Sequence, residues 1–300
     1  MRREWISRSI FQTCAGIVIV ALAVIYLFVG TQAFSLFTRD GVSLVTFFTS
    51  AKWDGSTNFG ILVYIVGSLS LIALGLILAI PLSLGLAIFV NEIAPPWLSR
   101  FMRGVIELFL GIPSVIFGIL GALILVPAIS RLLNYFAGGQ YYRGIGIVPA
   151  AIVVAFMVMP TITTITIDAL SNIPRDLREG SLALGATQWQ TISKILLPAS
   201  ISGILTGVIL GAARILGETI AVALVIGGGL DFPLRFTNIY PYAFPGSTAT
   251  LTSVLIQNFG EAQPGAAVYD ALWSAAFVLM IISGIMVGVS RTIAARRIYV

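Results

Sequence analysis

Six separate runs of roughly twenty apolar residues recur along the chain, and each, coiled as a helix, is long enough to cross the hydrocarbon core of a bilayer. Within lipid no water pairs the backbone N–H and C=O groups, so a run that enters it must close its hydrogen bonds on itself, as a helix does. The composition suits that solvent: 58% of residues are hydrophobic, 10% are charged and the mean hydropathy is +1.02, far from the average soluble domain. The runs predict membrane helices at roughly 10–30, 60–90, 104–127, 147–168, 202–226 and 269–290, with no stretch left for a separate soluble domain. The expected fold class is an all-α membrane protein with six transmembrane helices. Arg2 and Arg3 precede the first run as they would in a signal peptide, but about twenty apolar residues exceed the usual signal core, so this run is read as an uncleaved helix.

Six crossings place both termini on one side. With that side cytoplasmic, the inner loops and ends hold Arg2, Arg3, Arg8, Arg100, Arg103, Arg175, Arg178, Lys194, Arg291, Arg296 and Arg297, against Arg39, Lys52, Arg131, Arg143 and Arg235 outside. Eleven basic residues against five is the asymmetry that the positive-inside rule favours. The formal charge of +5 is thus an orientation signal rather than a nucleic-acid surface, since the basic residues stand singly or in pairs at helix ends. The one cysteine, Cys14, lies in the first apolar run, and histidine is absent, so no intrachain disulfide and no His/Cys metal site is expected. Paired carboxylates and nucleophile constellations are also missing, which speaks against an intramembrane enzyme.

The outer loop near 227–268 carries Pro233, Pro241, Pro245 and Pro264 among Phe232, Phe236, Tyr240, Tyr242 and Phe244. Proline stops regular helix and aromatic rings suit the headgroup region, so the loop is expected to fold against the outer face. Within it Leu251, Val254, Leu255 and Phe259 fall at helical spacing and predict a short amphipathic surface helix.

Residues 173–200, IPRDLREGSLALGATQWQTISKILLPAS, form the longest inward-facing segment. Pro174 is placed to open a helix and Gly185 to stop it, while Thr187 with Gln190 three residues on makes a capping box for a second helix. A helix-turn-helix on the cytoplasmic face follows. Glu179, then Gly185 six residues later, then Ile195, Leu197 and Pro198 resemble the EAA loop of ABC importer permeases. Gly180 and Ser181 stand where that family has two alanines; both are small, so close approach to a partner survives. The resemblance implies that this segment docks into a cleft on a separate ATPase. No G-x-x-x-x-G-K-[ST] loop exists and the only lysines are Lys52 and Lys194, so ATP is not cradled by this chain. Gly138-Gly139-Gln140 echoes the ABC ATPase signature by chance.

In the fifth run, GAARILGETIAVALVIGGG, Arg214 and Glu218 stand one helical turn apart with Gly211 and Gly217 beside them. An ionisable pair at that depth is costly, and the few tenths of a kcal/mol from such a helix pair cannot explain it, so a role on a wet pathway is expected. A guanidinium presents fixed donors suited to an oxyanion. Here the residues resemble the phosphate importer permeases, in which Gly-Glu-Thr follows an arginine, and the Ala-Val that comes after points to the PstC type rather than the PstA type. Glu107–Gly118, ELFLGIPSVIFG, is similar to a second signature of those subunits, and PLSLGLAIFVNE at 81–92 extends the likeness over about 60–290.

The resemblance implies an ABC type I importer permease (MetI-like) fold with both termini cytoplasmic. It divides the chain into an N-terminal helix and outer loop at 1–59 and a permease domain at 60–300 with its coupling loop at 173–200. It further implies a non-catalytic subunit for inorganic phosphate, partnered by a PstA-like permease, two PstB-like ATPases that hold ATP and Mg, and a PstS-like binding protein. By that resemblance Arg214 and Glu218 are the substrate-pathway residues. Glu107 and Pro113 are candidate gating residues on the residues alone: Pro113 is placed to kink or interrupt the third helix, as prolines of ordinary membrane helices also do, and Glu107 has an alternative partner in Arg103, four residues before it. Molybdate, tungstate or sulfate is the alternative cargo, and an ion-coupled carrier the alternative class.

Overall fold

The computed structural model describes residues 2–136, 143–230 and 247–295, and those residues are helical with no strand. In chain order the helices are α1 (Arg2–Thr38), α2 (Leu44–Thr49), α3 (Leu62–Ile88), α4 (Pro96–Gly111), α5 (Ser114–Leu120), α6 (Val126–Phe136) and α7 (Ile147–Ser171). There follow α8 (Arg175–Ala183), α9 (Gln188–Thr191), α10 (Leu197–Leu216), α11 (Ile220–Ile226), α12 (Leu251–Asn258) and α13 (Ala267–Ala295). Six spans among the described residues are long and apolar enough to cross a membrane: Arg8–Thr38, Leu62–Ile93, Ser114–Tyr135, Ile147–Ser171, Gln188–Leu216 and Ala267–Val289. Gly138-Gly139-Gln140 and all the outer-loop prolines and aromatic residues named above, except Phe259 and Pro264, lie outside the described residues.

Single-turn π-helical segments interrupt the helices at Gly121–Leu125 and Ile192–Leu196, and a third, Phe89–Ile93, ends the run that α3 begins. Each ends two residues before a proline, Pro95, Pro127 and Pro198 respectively. At Pro127 and Pro198, where helix continues, proline has no N–H to give the carbonyl four residues back and its ring collides with that carbonyl; a widened turn relieves the collision. The i→i−5 bonds from Ala94 N–H to Phe89, from Val126 to Gly121 and from Leu197 to Ile192 mark the widening. Pro81 and Pro160 sit inside α3 and α7 without such a turn.

The chain divides into two compact units, one comprising 1–62 with 258–282 and the other 63–257 with 283–300. In the first unit α1 is tied to the opening half of α13. Ser274 Oγ donates to the Ala33 carbonyl at 2.7 Å, and Phe28 meets Trp273 edge-on. Arg39 Nη2 lies 2.9 Å from buried Asp270 and donates to the Gly265 carbonyl. In the adjoining loop Asp54 collects the N–H groups of Ser56, Thr57 and Asn58 and the Asn58 side-chain amide. These donors, led by the Asn58 amide, hold its carboxyl well below the usual carboxylate range.

In the second unit α7 is the central element: two thirds of its span is buried, and it packs against α10, α11, α4 and α5. Small residues let the helices close. A Cβ on Gly75 would come within 2.8 Å of Val154, and one on Gly203 within 2.3 Å of Ala169. Ser83 Oγ donates to the Met159 carbonyl at 3.2 Å, satisfying a buried hydroxyl between α3 and α7.

Three expectations change. The third span begins at Ser114 rather than near 104, because Ile112 and Pro113 are extended and α4 is a separate amphipathic helix before them. The fifth run is not one helix over 202–226: α10 begins earlier, and the run breaks at Gly217–Thr219 before α11. The segment around Leu251 and Val254 is helical and two-faced as expected, but its first turn is buried while Ile256 and Gln257 are exposed, so α12 is inserted by that turn rather than lying wholly on the surface. Its first N–H is taken by Ser68 Oγ at 3.0 Å, and Gly67 leaves room for the Ala249 carbonyl, which a Cβ would meet at 2.1 Å.

Candidate functional site

The break in the fifth run forms the first candidate region. α10 ends at Gly217, whose N–H still bonds to the Ala213 carbonyl, and α11 starts at Ile220. Glu218 is buried in the gap and faces along the chain: its Oε1 accepts the Ala221 N–H at 3.2 Å, so the carboxylate satisfies an orphan donor at the start of α11. Its backbone carbonyl accepts the Thr252 hydroxyl at 2.8 Å, which fastens the break to α12. Arg214, half-buried in the last turn of α10, donates through Nη1 to Thr161 Oγ1 on α7 at 3.1 Å. The pair expected to stand one turn apart on a single helix is therefore separated by the break, and among the described residues no ion pair joins Arg214 to Glu218. Thr161 and Thr252 were not legible as partners, since neither carries a sequence signal.

The two signature stretches meet. A Cβ on Gly118 would lie 2.5 Å from Ala221 Cα, so α5 crosses α11 with the backbones almost touching. Gly121 fits in the same way against Val153 and Val225. Pro113 starts α5, its carbonyl accepting the Ile116 N–H at 3.0 Å, and the structure places it at an exposed corner. Glu107 is exposed on α4, while Arg103 donates to Asn91 Oδ1 at 3.0 Å.

Residues 173–200 form the second region, a helical hairpin. α8 ends in a left-handed glycine, Gly185 at φ +85, with Gly185 N–H bonded to Leu182 and Ala186 N–H to Ser181, the Schellman arrangement. Thr187 and Gln190 make the capping box in both directions, at 3.3 and 2.9 Å. Ser181, at one of the two family alanine positions, is buried, and its hydroxyl lies 2.9 Å from that of Thr191, stitching the two arms together. Ile195 and Leu197 pack on the buried cluster of Leu170, Ile173, Ile192 and Leu196, and Pro198 stands in the first turn of α10. Glu179, Leu177, Leu182, Leu184 and Trp189 are exposed, Leu184 at 92%. An apolar side chain that open, beside a rigid glycine turn, is a surface suited to a protein partner.

One half-buried ion pair carries no signal in the sequence. Arg178 of α8 grips Glu92 with Nη2–Oε1 at 2.8 Å and Nε–Oε2 at 3.2 Å. The pair joins the hairpin to the end of the Leu62–Ile93 span. Across 86 residues, nothing in the local pattern announces the pairing.

A family model described as "Binding-protein-dependent transport system inner membrane component" matches residues 79–299. The chain is 38% identical over 293 residues to a probable ABC transporter permease protein, YqgH, of Bacillus subtilis, with 97% of this chain and 90% of that protein covered. It is 34% identical over 313 residues to the phosphate transport system permease protein PstC of Xylella fastidiosa, covering 98% and 91%. Against PstC of Pasteurella multocida the figure is 32% over 291 residues, covering 91% and 88%. Among solved structures, a chain of a bacterial alginate ABC transporter in complex with its alginate-bound periplasmic protein superposes with a TM-score of 0.66 at 16% identity, over 98% of this chain and 96% of that one. A chain of the inward-facing MetNI methionine ABC transporter gives 0.55 at 18%, over 77% and 92%. Identities this low show a shared fold, that of ABC importer permeases.

Proposed function

The chain belongs to the family of binding-protein-dependent transport system inner membrane components, and from that premise we propose that it is the membrane-spanning subunit of an ATP-driven importer for inorganic phosphate. The observation that carries the solute is the set of PstC phosphate permeases aligned over nearly the whole chain. The chain is a multi-pass inner-membrane protein with the permease fold. Hydrolysis of ATP, with its Mg, belongs to a separate ATPase, two copies of which seat against this subunit and a PstA-like companion. A PstS-like protein delivers phosphate to the outer face, and both termini lie in the cytoplasm.

The exposed face of the hairpin, with Glu179, Gly185 and the leucines around them, is the seat of the ATPase. Ile195, Leu197 and Pro198 root the hairpin in α10, so a push on it moves the helix that carries Arg214 in its last turn. Closure of the ATPase pair opens the bundle toward the docked binding protein; the released ion passes Arg214 and leaves when the bundle reopens inward. One guanidinium donor is engaged by Thr161, and the others stand ready for oxyanion oxygens. Glu218 keeps the helix break in place by capping α11. Pro113 lies where α4 turns into α5 and Glu107 stands in the last turns of α4 before it, and the two gate the pathway from this corner.

The test is uptake of radiolabelled phosphate by proteoliposomes holding this chain with its companion permease, ATPase and binding protein, with and without ATP. ATP-dependent uptake unaffected by excess molybdate or sulfate is the expected result. Displacement by molybdate would reassign the solute, and uptake without ATP or ATPase would overturn the importer reading.

A further inference from the structure

Within the reading of residues 173–200 as the ATPase seat, we propose that the dipeptide Asn91-Glu92, gripped by Arg178, is the strut that carries movement of the hairpin into the second membrane span. Arg178 engages through all three guanidinium nitrogens. Besides the two bonds to Glu92, Nη2 donates to the Leu170 carbonyl at 2.9 Å and Nη1 to Ile173 at 3.3 Å. The other arm of the hairpin holds the same residue, because Gln188 Nε2 donates to the Glu92 backbone carbonyl at 2.9 Å. Asn91 braces it from behind: its Nδ2 donates to Glu92 Oε1 at 2.7 Å, and its Oδ1 accepts from Ser171 at 2.8 Å and from Arg103 at 3.0 Å.

Four helices, α4, α7, α8 and α9, thus converge on two residues at the end of the Leu62–Ile93 span. The Glu92 side chain is 9% exposed and that of Arg178 22%, so the pair is largely shielded and parting it leaves a poorly solvated charge without its partner. A bidentate fork also resists shear, which a single ammonium does not. A polar cavity of about 410 Å³ opens alongside, lined by both residues with Asn91, Ser171, Arg175 and Glu179. Glu179 follows Arg178 directly, so a partner seated on α8 bears on the fork. From Glu92 the span continues to Ser83, whose hydroxyl bonds to Met159, two residues before the Arg214 partner Thr161. The rival route is the apolar cluster of Leu170, Ile173, Ile192 and Leu196, which would transmit the same movement without the fork.

The experiment uses the complete reconstituted complex carrying Glu92→Gln, Arg178→Lys or Gln188→Ala. Phosphate uptake, ATP hydrolysis and its stimulation by the binding protein are read in the same vesicles, and retention of the ATPase is checked by co-purification. The expected result is that Glu92→Gln and Arg178→Lys keep the ATPase bound but lower phosphate moved per ATP, and the binding-protein stimulation, by about tenfold. Gln188→Ala lowers both in the same direction by less. Wild-type ratios in both charge variants would overturn the strut, and so would parallel loss of ATPase binding and hydrolysis, which would make the pair a fold staple. Stimulation of hydrolysis does not depend on which solute is carried, so a wild-type complex that takes up no phosphate would sink the solute reading while the strut is still judged.

Discussion

Arg214 has a fixed guanidinium, a hydroxyl partner on α7 and no carboxylate in salt-bridge reach among the described residues. That arrangement suits an anion that arrives and departs better than a permanent bridge, which would satisfy the charge for good. Replacing Arg214 by alanine is expected to lower initial phosphate uptake by about a hundredfold and replacing it by lysine by about tenfold, with the complex still assembled. Uptake rates in proteoliposomes check this, and a near-normal Arg214→Ala would remove the residue from the ion path. The arginine itself was legible, because a charge deep in an apolar run needs a reason. Its separation from Glu218 was not: the Glu218 carbonyl at the break is held by Thr252, 34 residues further on.

At the scale of elements, the hairpin and the α5–α11 crossing make separate demands. Gly185 has φ +85 and open space where a Cβ would stand, so alanine there adds about 1 kcal/mol of backbone strain and its methyl group meets no other atom of this chain. Gly185→Ala is therefore expected to keep coupled uptake and Gly185→Trp to uncouple hydrolysis from transport or release the ATPase. Normal coupled uptake by the tryptophan variant would end the docking assignment. Gly118 faces the opposite situation, its Cβ position lying 2.5 Å from the Ala221 backbone. Gly118→Ala should destabilise the purified subunit by about 1–3 kcal/mol, while Gly111→Ala, with nothing within 4 Å, should stay within about 0.5 kcal/mol. Thermal unfolding in detergent measures both, and equal effects would refute the close crossing. The turn chemistry of the hairpin was readable because caps and glycine stops act within four or five residues. The π turns were foreshadowed only by their prolines, since Pro81 and Pro160 show that proline alone does not dictate one.

For the whole molecule, the count of crossings and the distribution of basic residues make a prediction about sidedness. Lys52 lies between the first two spans and Ala183 on the hairpin between the fourth and fifth, so three crossings separate them. In a Cys14→Ser background, Lys52→Cys is expected to react with an impermeant maleimide from outside and Ala183→Cys only after the membrane is opened. Reaction of both from one side would break the six-crossing arrangement, whereas exchanged sides would overturn the orientation alone. The sequence by itself determined the number of spans, the helical hairpin and a kink or interruption at Pro113, because run length, lipid solvent and cap and proline geometry act through covalent neighbours. Only the tertiary structure decided that α12 is inserted, that Gly118 meets Ala221, that Arg214 turns to Thr161 and that Glu92 is held by Arg178. Those pairings bring together residues far apart in the chain, and which partner each finds depends on the path of every helix between them.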